Sequence, residues 1–252
     1  MRTVAVVQAK GGVGKSTVSV HLACGLADAG FQTILIDLDP SCGSSKYLGI
    51  EADSTRPDLW DALEGRAELL SASQTIDGFS HLRVIPHRFS GYEAVIRGPY
   101  RLRVCLAPLR RKGIDFVILD TPPSWSPATA KALTAANEAL VVAEPKTLSL
   151  VALVDQMRII EDTRERMNPD LRLLGIVPNR VLRTRLSRQS LAGLEAKYPG
   201  RVLPAIRESA QLAEAPGSHQ PVSHYAPGSS AARDFASLTE AVMRLIAPKR
   251  SV

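Results

Sequence analysis

Residues 10–17 read Lys-Gly-Gly-Val-Gly-Lys-Ser-Thr, and their flanks restrict what this run can be. Upstream, residues 3–7 are TVAVV, a continuous apolar, β-branched segment of the kind buried on both faces of a parallel sheet. Downstream, residues 15–29 carry apolar side chains at helical spacing and stop at Gly30. A strand, a glycine-rich turn and a helix in that order converge backbone N–H groups and a helix N-terminus on one point, which makes a phosphate cradle. Gly11, Gly12, Val13, Gly14 and Thr17 form it with their backbones. Lys15 is placed to reach the β- and γ-phosphates and the Ser16 hydroxyl to ligate Mg²⁺. The strict pattern has Gly where Ala9 stands, and a second lysine, Lys10, opens the loop.

The strand-and-helix alternation continues. Strands are expected at 33–39 (TILIDLD), 82–86, 116–120 (FVILD), 138–145, 171–179 and 201–206, with helices such as 148–167 and 231–246. This predicts an α/β fold, a mostly parallel twisted sheet flanked by helices, in a single domain over 1–252. Residues 215–230, rich in Pro, Gly and Ser, read as a surface loop. In open parallel sheets ligands bind at the carboxyl ends of the strands, so the acidic strand ends become candidates. Asp120 fits a carboxylate holding a Mg²⁺-bound water. Asp37 and Asp39 close the second strand, expected beside the first, where Asp39 would orient a hydrolytic water. Strand-end aspartates also serve as turn and cap residues, the alternative reading.

With 45% hydrophobic residues the chain has material for a sizeable core, and no apolar run approaches the roughly 18 residues of a membrane span. Cys24, Cys42 and Cys105 show no CxxC spacing, which excludes a disulfide scaffold or cysteine-based zinc module. His81, His87, His219 and His224 have no ligand spacing and read as surface residues. A formal net charge of +6 suits an anionic partner without choosing one.

KGGVGKST with its leading lysine, DLDP and ILDTPPS resemble the deviant Walker A, Walker A′ and Walker B motifs of the ParA/MinD ATPases, and the resemblance runs through nearly the whole chain. It implies a P-loop NTPase fold of the SIMIBI type, ATP hydrolysis with ATP and Mg²⁺, and a homodimer that sandwiches two ATP molecules, with Lys10 of each protomer reaching the phosphates of the other. Lys10, Lys15 and Asp39 are then the catalytic set, and Ser16, Asp39 and Asp120 the metal set. Asn179, in GIVPNRV, and the backbone near Pro204 bracket the adenine on the same grounds. Ser41-Cys42 stand where many relatives have Gln-Gly. The chain begins at the first strand, so the N-terminal helix-turn-helix region of some relatives, and sequence-specific operator binding with it, is not expected.

Two basic segments bear on the partner. Residues 97–112 hold six Lys/Arg and no acid, and Arg180, Arg183, Arg185 and Arg188 cluster where ParA proteins contact non-specific double-stranded DNA. A solvated basic face is the alternative for each. The resemblance points to a cytoplasmic, nucleoid-associated ParA-type ATPase that segregates or positions cargo, with hydrolysis triggered by a ParB-like or other activating protein. The other reading is a MinD-like membrane-associated positioning ATPase, for which the tail VMRLIAPKRSV would have to form an amphipathic membrane helix; Pro248 interrupts it. Iron–sulfur relatives need paired cysteines after the Walker B region, and no cysteine follows Cys105. No substrate site for a biosynthetic ligase is evident.

Overall fold

The computed structural model describes residues 1–8, 10–51, 53, 55–87, 98–123, 125–145 and 147–247, with backbone alone at 147–152. Its centre is a seven-stranded sheet built from β1 (Arg2–Val7), β2 (Thr33–Asp37), β3 (Gln74–Ile76), β4 (Phe79–Ile85), β5 (Phe116–Asp120), β6 (Glu138–Ala143) and β7 (Arg172–Pro178). The spatial order is β3-β4-β2-β5-β1-β6-β7. Every pairing is parallel except β3 with β4.

The helices are α1 (Lys15–Asp28), α2 (Gly43–Tyr47), α3 (Leu59–Glu64), α4 (Arg101–Leu106), α5 (Pro127–Ala135), α6 (Thr147–Arg166), α7 (Arg185–Lys197), α8 (Ala210–Glu214), α9 (Val222–Tyr225) and α10 (Ser230–Ile246). Strand side chains alternate between two cores, as the pleat requires. Val4, Val6, Leu35, Ile118 and Val142 pack with α1 and α10 on one face. Ala5, Val7, Ile34, Ile36, Leu119 and Val141 pack with α3, α4 and α5 on the other. Burying a Val, Leu or Ile contributes about 1.5–3 kcal/mol, so covering both faces lets such continuous apolar strands persist. α1 is buried on nearly all sides between sheet and α10.

Four expectations need correction. β2 does not neighbour β1, because β5 lies between them. The strand expected at 201–206 is reduced to isolated bridges, Ile176 with Val202 and Val181 with Arg207; Pro204 in its middle has no N–H for a ladder. Residues 215–230 are not a free surface loop. They form a short 3-10 turn and α9, and fully bury Ala215 and Val222. Among the histidines, His87 is buried and His81 lies on β4, bonded to the Gln32 amide at 2.7 Å. One strand went unforeseen, the short β3, joined to β4 by Asp77-Gly78 with Gly78 at φ 84°, a hairpin signal present in the sequence. Among the described residues no helix is long and apolar enough to cross a membrane.

Candidate functional site

The carboxyl ends of β5, β1 and β6 converge on the loop before α1. Gly14 caps α1 at φ 89° with no side-chain cap, so the first-turn N–H groups remain open to an anion. A Cβ there would collide with the Asn179 amide. Gly11 and Gly12 are exposed and Val13 is buried, while Ala9 lies outside the described residues. Lys15 is 6% exposed, and burial lowers its pKa against the opposing pull of Asp120 and Asp39. A buried ammonium between two carboxylates at a glycine cradle is built to receive a polyanion.

Asp120 is fully buried at the end of β5. Its Oδ1 accepts from Ser19 Oγ at 3.0 Å, and its Oδ2 has no partner at hydrogen-bonding geometry. Burial and then the neighbouring Asp37 push its carboxyl up to about 7, against the hydroxyls of Ser16, Ser19 and Ser44. Asp37 is also raised by burial, although it accepts from the Ser45 amide and hydroxyl, both at 2.9 Å. Two buried acids beside a lysine, one with an idle oxygen, fit a divalent cation as the missing charge. Asp39, 8% exposed, is held by its Oδ1 accepting from the Ser41 amide at 2.8 Å, while its own N–H donates to Asp37 at 3.0 Å. Ser16 stands between loop and acids, its Oγ against Gly43 at the start of α2. Asp37, which had been grouped with Asp39, is thus the carboxylate that braces the turn carrying Asp39.

On the other side Arg207, Glu208 and Ser209, which the sequence did not single out, join residues that it did. A cleft of about 240 Å³ is lined by Gly12, Gly14, Thr17, Asn179, Arg180, Arg207, Glu208 and Ser209. Asn179 is buried and its Nδ2 donates to the Val13 carbonyl at 2.7 Å, leaving Oδ1 without a partner. Pro204 is half-buried and does not line this cleft; Arg207, Glu208 and Ser209 do. Arg180, expected with the DNA cluster, reaches the loop. It sits at φ 56° with Nη1 donating to the Gly12 carbonyl at 3.1 Å. Lys10 lies 3.6 Å from Glu144 at the end of β6.

Arg183, Arg185 and Arg188 are exposed around the start of α7. In the second basic segment Arg97 is outside the described residues, Arg101 bonds the Leu63 carbonyl, Arg103 lies 3.8 Å from Asp170, and Lys112 pairs with Glu68. In the tail, Met243 and Ile246 pack against the core, while Pro248, Lys249 and Arg250 are outside the described residues.

A family model described as "AAA domain" matches residues 1–173. The chain is 34% identical over 245 residues to the chromosome-partitioning ATPase Soj of Thermus thermophilus, covering 96% of each. It is 35% identical over 234 residues to the chromosome partitioning protein ParA of Caulobacter vibrioides, covering 89% of this chain and 87% of that one. Among solved structures, the cell division ATPase MinD of Pyrococcus furiosus superposes with a TM-score of 0.82 at 26% identity, over 97% of this chain and 99% of that one. The cobyrinic acid a,c-diamide synthase of Mycobacterium smegmatis with bound ADP and magnesium gives a TM-score of 0.79 at 27% identity, over 97% and 94%. A family model matched over residues 1–173, together with relatives 34–35% identical over 89–96% of the chain, places it in the ParA/MinD family of P-loop ATPases, to which the chain belongs.

Proposed function

We propose that the chain, acting as one domain, is a ParA-type ATPase that dimerises with ATP, binds duplex DNA without sequence preference in that form, and releases it when a partner protein triggers hydrolysis. The observation that carries the nucleotide part is the buried Lys15 facing Asp120, whose Oδ2 is idle, across the mouth of the glycine loop. Mg²⁺ bound with ATP would neutralise phosphate charge and complete the acidic side of the site. Residues 11–17 would hold the phosphates with their N–H groups, Lys15 would set its charge on the β- and γ-phosphates, and Ser16 and Asp120 would face the cation. Asp39, fixed by the Ser41 amide, would orient the attacking water or the cation's shell. Lys10 would act across the dimer, a cation delivered where the transferring phosphoryl group is most negative. Asn179, its Oδ1 unused, would offer an acceptor to the base in the adjoining cleft.

The DNA part is supported by the exposed Arg183, Arg185 and Arg188, which a two-fold dimer would present twice. The names of the Thermus and Caulobacter relatives, both chromosome-partitioning proteins, support segregation as the purpose. For the membrane alternative, the packing of Met243 and Ile246 into the core removes two of the apolar residues that a membrane helix would use. The deciding experiment measures DNA and anionic vesicle binding side by side, with ATP, ADP and no nucleotide. ATP-dependent binding to duplex DNA alone is expected, and ATP-dependent binding to vesicles without DNA binding would sink the ParA-type reading.

A further inference from the structure

The lysine that opens the loop is engaged within its own chain. Lys10 Nζ lies 3.6 Å from Glu144 Oε2, and the other oxygen of that carboxylate lies 4.0 Å from Arg180 Nη1. Arg180 in turn bonds the Gly12 carbonyl and approaches Glu208 at 3.8 Å. Two cations and two carboxylates therefore alternate around the loop, with Glu144 at the centre. Topology brings them together: β6 is the neighbour of β1 on the side away from β5, so the residue just beyond β6 sits beside the loop that leaves β1.

Lys10 and Arg180 differ in what they can do next. Glu144 is 6% exposed, and a carboxylate so far from water requires cations about it. Arg180 is tethered to Gly12 and stays. The Lys10 side chain is 40% exposed and leaves by rotating its own flexible stem. When it does, Arg180 still neutralises Glu144, so no buried charge is stranded.

We propose that Glu144 is a positioning residue for Lys10, holding its ammonium over the protomer's own loop until a second ATP-loaded copy offers phosphate oxygens in exchange. This rests on the proposed action of Lys10 across the dimer. The exchange moves a cation from a singly charged carboxylate to a more highly charged triphosphate, and Arg180 makes it reversible by covering the carboxylate that Lys10 leaves. Dimer formation then breaks two such pairs, one in each protomer.

The test is ATP-dependent dimerisation of the full chain, followed by light scattering across protein concentration with Mg²⁺-ATP. A partly exposed pair is worth about two- to threefold, so Glu144→Gln is expected to lower the concentration for half dimerisation by roughly five- to tenfold. The Lys10→Gln/Glu144→Gln double variant is expected to dimerise no better than Lys10→Gln alone, because the gain works only through Lys10. Arg180→Gln, which cuts the Gly12 contact and leaves the Lys10 pair, is expected to weaken ATP binding without easing dimerisation. Glu144→Asp, with the charge kept but withdrawn by one methylene, is expected to lie between wild type and Glu144→Gln, and it carries the test if the amide variant folds poorly. If Glu144→Gln matches wild type while Lys10→Gln fails to dimerise, Glu144 has no such role and the trans lysine survives. If Lys10→Gln dimerises normally, the trans lysine itself is overturned. A gain in the double variant equal to that of Glu144→Gln would place the effect elsewhere than on Lys10.

Discussion

Asp37 and Asp120 stand opposite each other in register on the adjacent parallel strands β2 and β5, both fully buried. Two carboxylates in that position repel when ionised, and the protein accepts the cost at the mouth of a phosphate cradle. Asp120→Asn keeps the shape and the Ser19 contact while removing one charge. Its melting temperature in metal-free buffer is expected to rise by several degrees, while ATP turnover falls at least about 100-fold. Calorimetry with a phosphate-release assay checks both. A variant less stable than wild type, or one with normal turnover, would remove Asp120 from the cation side of the site.

His21, on the helix that follows the loop, supplies the second prediction. Its Nδ1 faces the Thr17 carbonyl at 2.7 Å, its Nε2 accepts from the Val222 amide at 2.9 Å, and its ring stacks on Phe235. Nε2 therefore has no room for a proton, and complete burial lowers the pKa to about 4. The unfolded chain takes up a proton near 6.5 and the native one only near 4. The contribution of neutral His21 is whole above about 6.5, declines as pH falls toward 4, and amounts to roughly 3 kcal/mol. Asp120 acts with the opposite sign: its folded pKa is raised from 3.8 to about 7, so stability is lost as pH rises through that interval. In wild type the two slopes oppose each other, and Asp120→Asn should expose a stability that climbs between pH 4 and 6.5. Denaturant midpoints across that range are the measurement, with NMR of the His21 ring as control. A ring titrating near 6.5 would refute the account.

Lys15→Ala is expected to weaken ATP binding at least about 100-fold, since no other buried ammonium faces the loop among the described residues. Titration with a fluorescent ATP analogue reads it. Wild-type affinity would end the assignment of the loop as the phosphate site.

Asp39→Ala separates binding from turnover. A carboxylate that orients water acts mainly in the transition state, so ATP-dependent dimers should still form while kcat drops by about 100-fold or more. Turnover at the wild-type rate would move the role to another residue.

For the basic face, Arg183→Glu with Arg188→Glu should weaken duplex binding equally across sequences. Each lost phosphate contact should flatten the slope of log affinity against log salt by about 0.9. ATP binding should be untouched. An unchanged slope would shift attention to the basic residues of 98–112.

How much of this could be read in advance follows from how local each signal is. β1, the loop and α1 form one contiguous stretch whose glycines, lysines and apolar runs all point the same way, and the structure keeps that order. Asp120 was visible because it ends a continuous apolar run, FVILD, and is followed at once by Thr121-Pro122-Pro123, in the same chain as the glycine loop. Glu144 was hidden because it ends β6 much as a turn residue would, and only the placement of β6 beside β1 gives it a role. The loop contact of Arg180 was hidden because sequence proximity to Arg183 says nothing of direction, whereas its positive φ turns it toward Gly12. His21 carried no motif at all. Its meaning comes from Val222 and Phe235, some two hundred residues away.

The two borders of the sheet have a consequence for assembly. On one side β3 is only three residues long, and on the other the segment around Pro204 runs along β7, meeting Ile176 and Pro178 through backbone bonds of 2.8 Å. A growing polymer that adds strand to strand needs a long, vacant row of N–H and C=O groups, and among the described residues neither border offers one. Any multimer this chain builds would therefore be joined through loops and helix faces, and not through a continuous ladder that would be slow to dissolve.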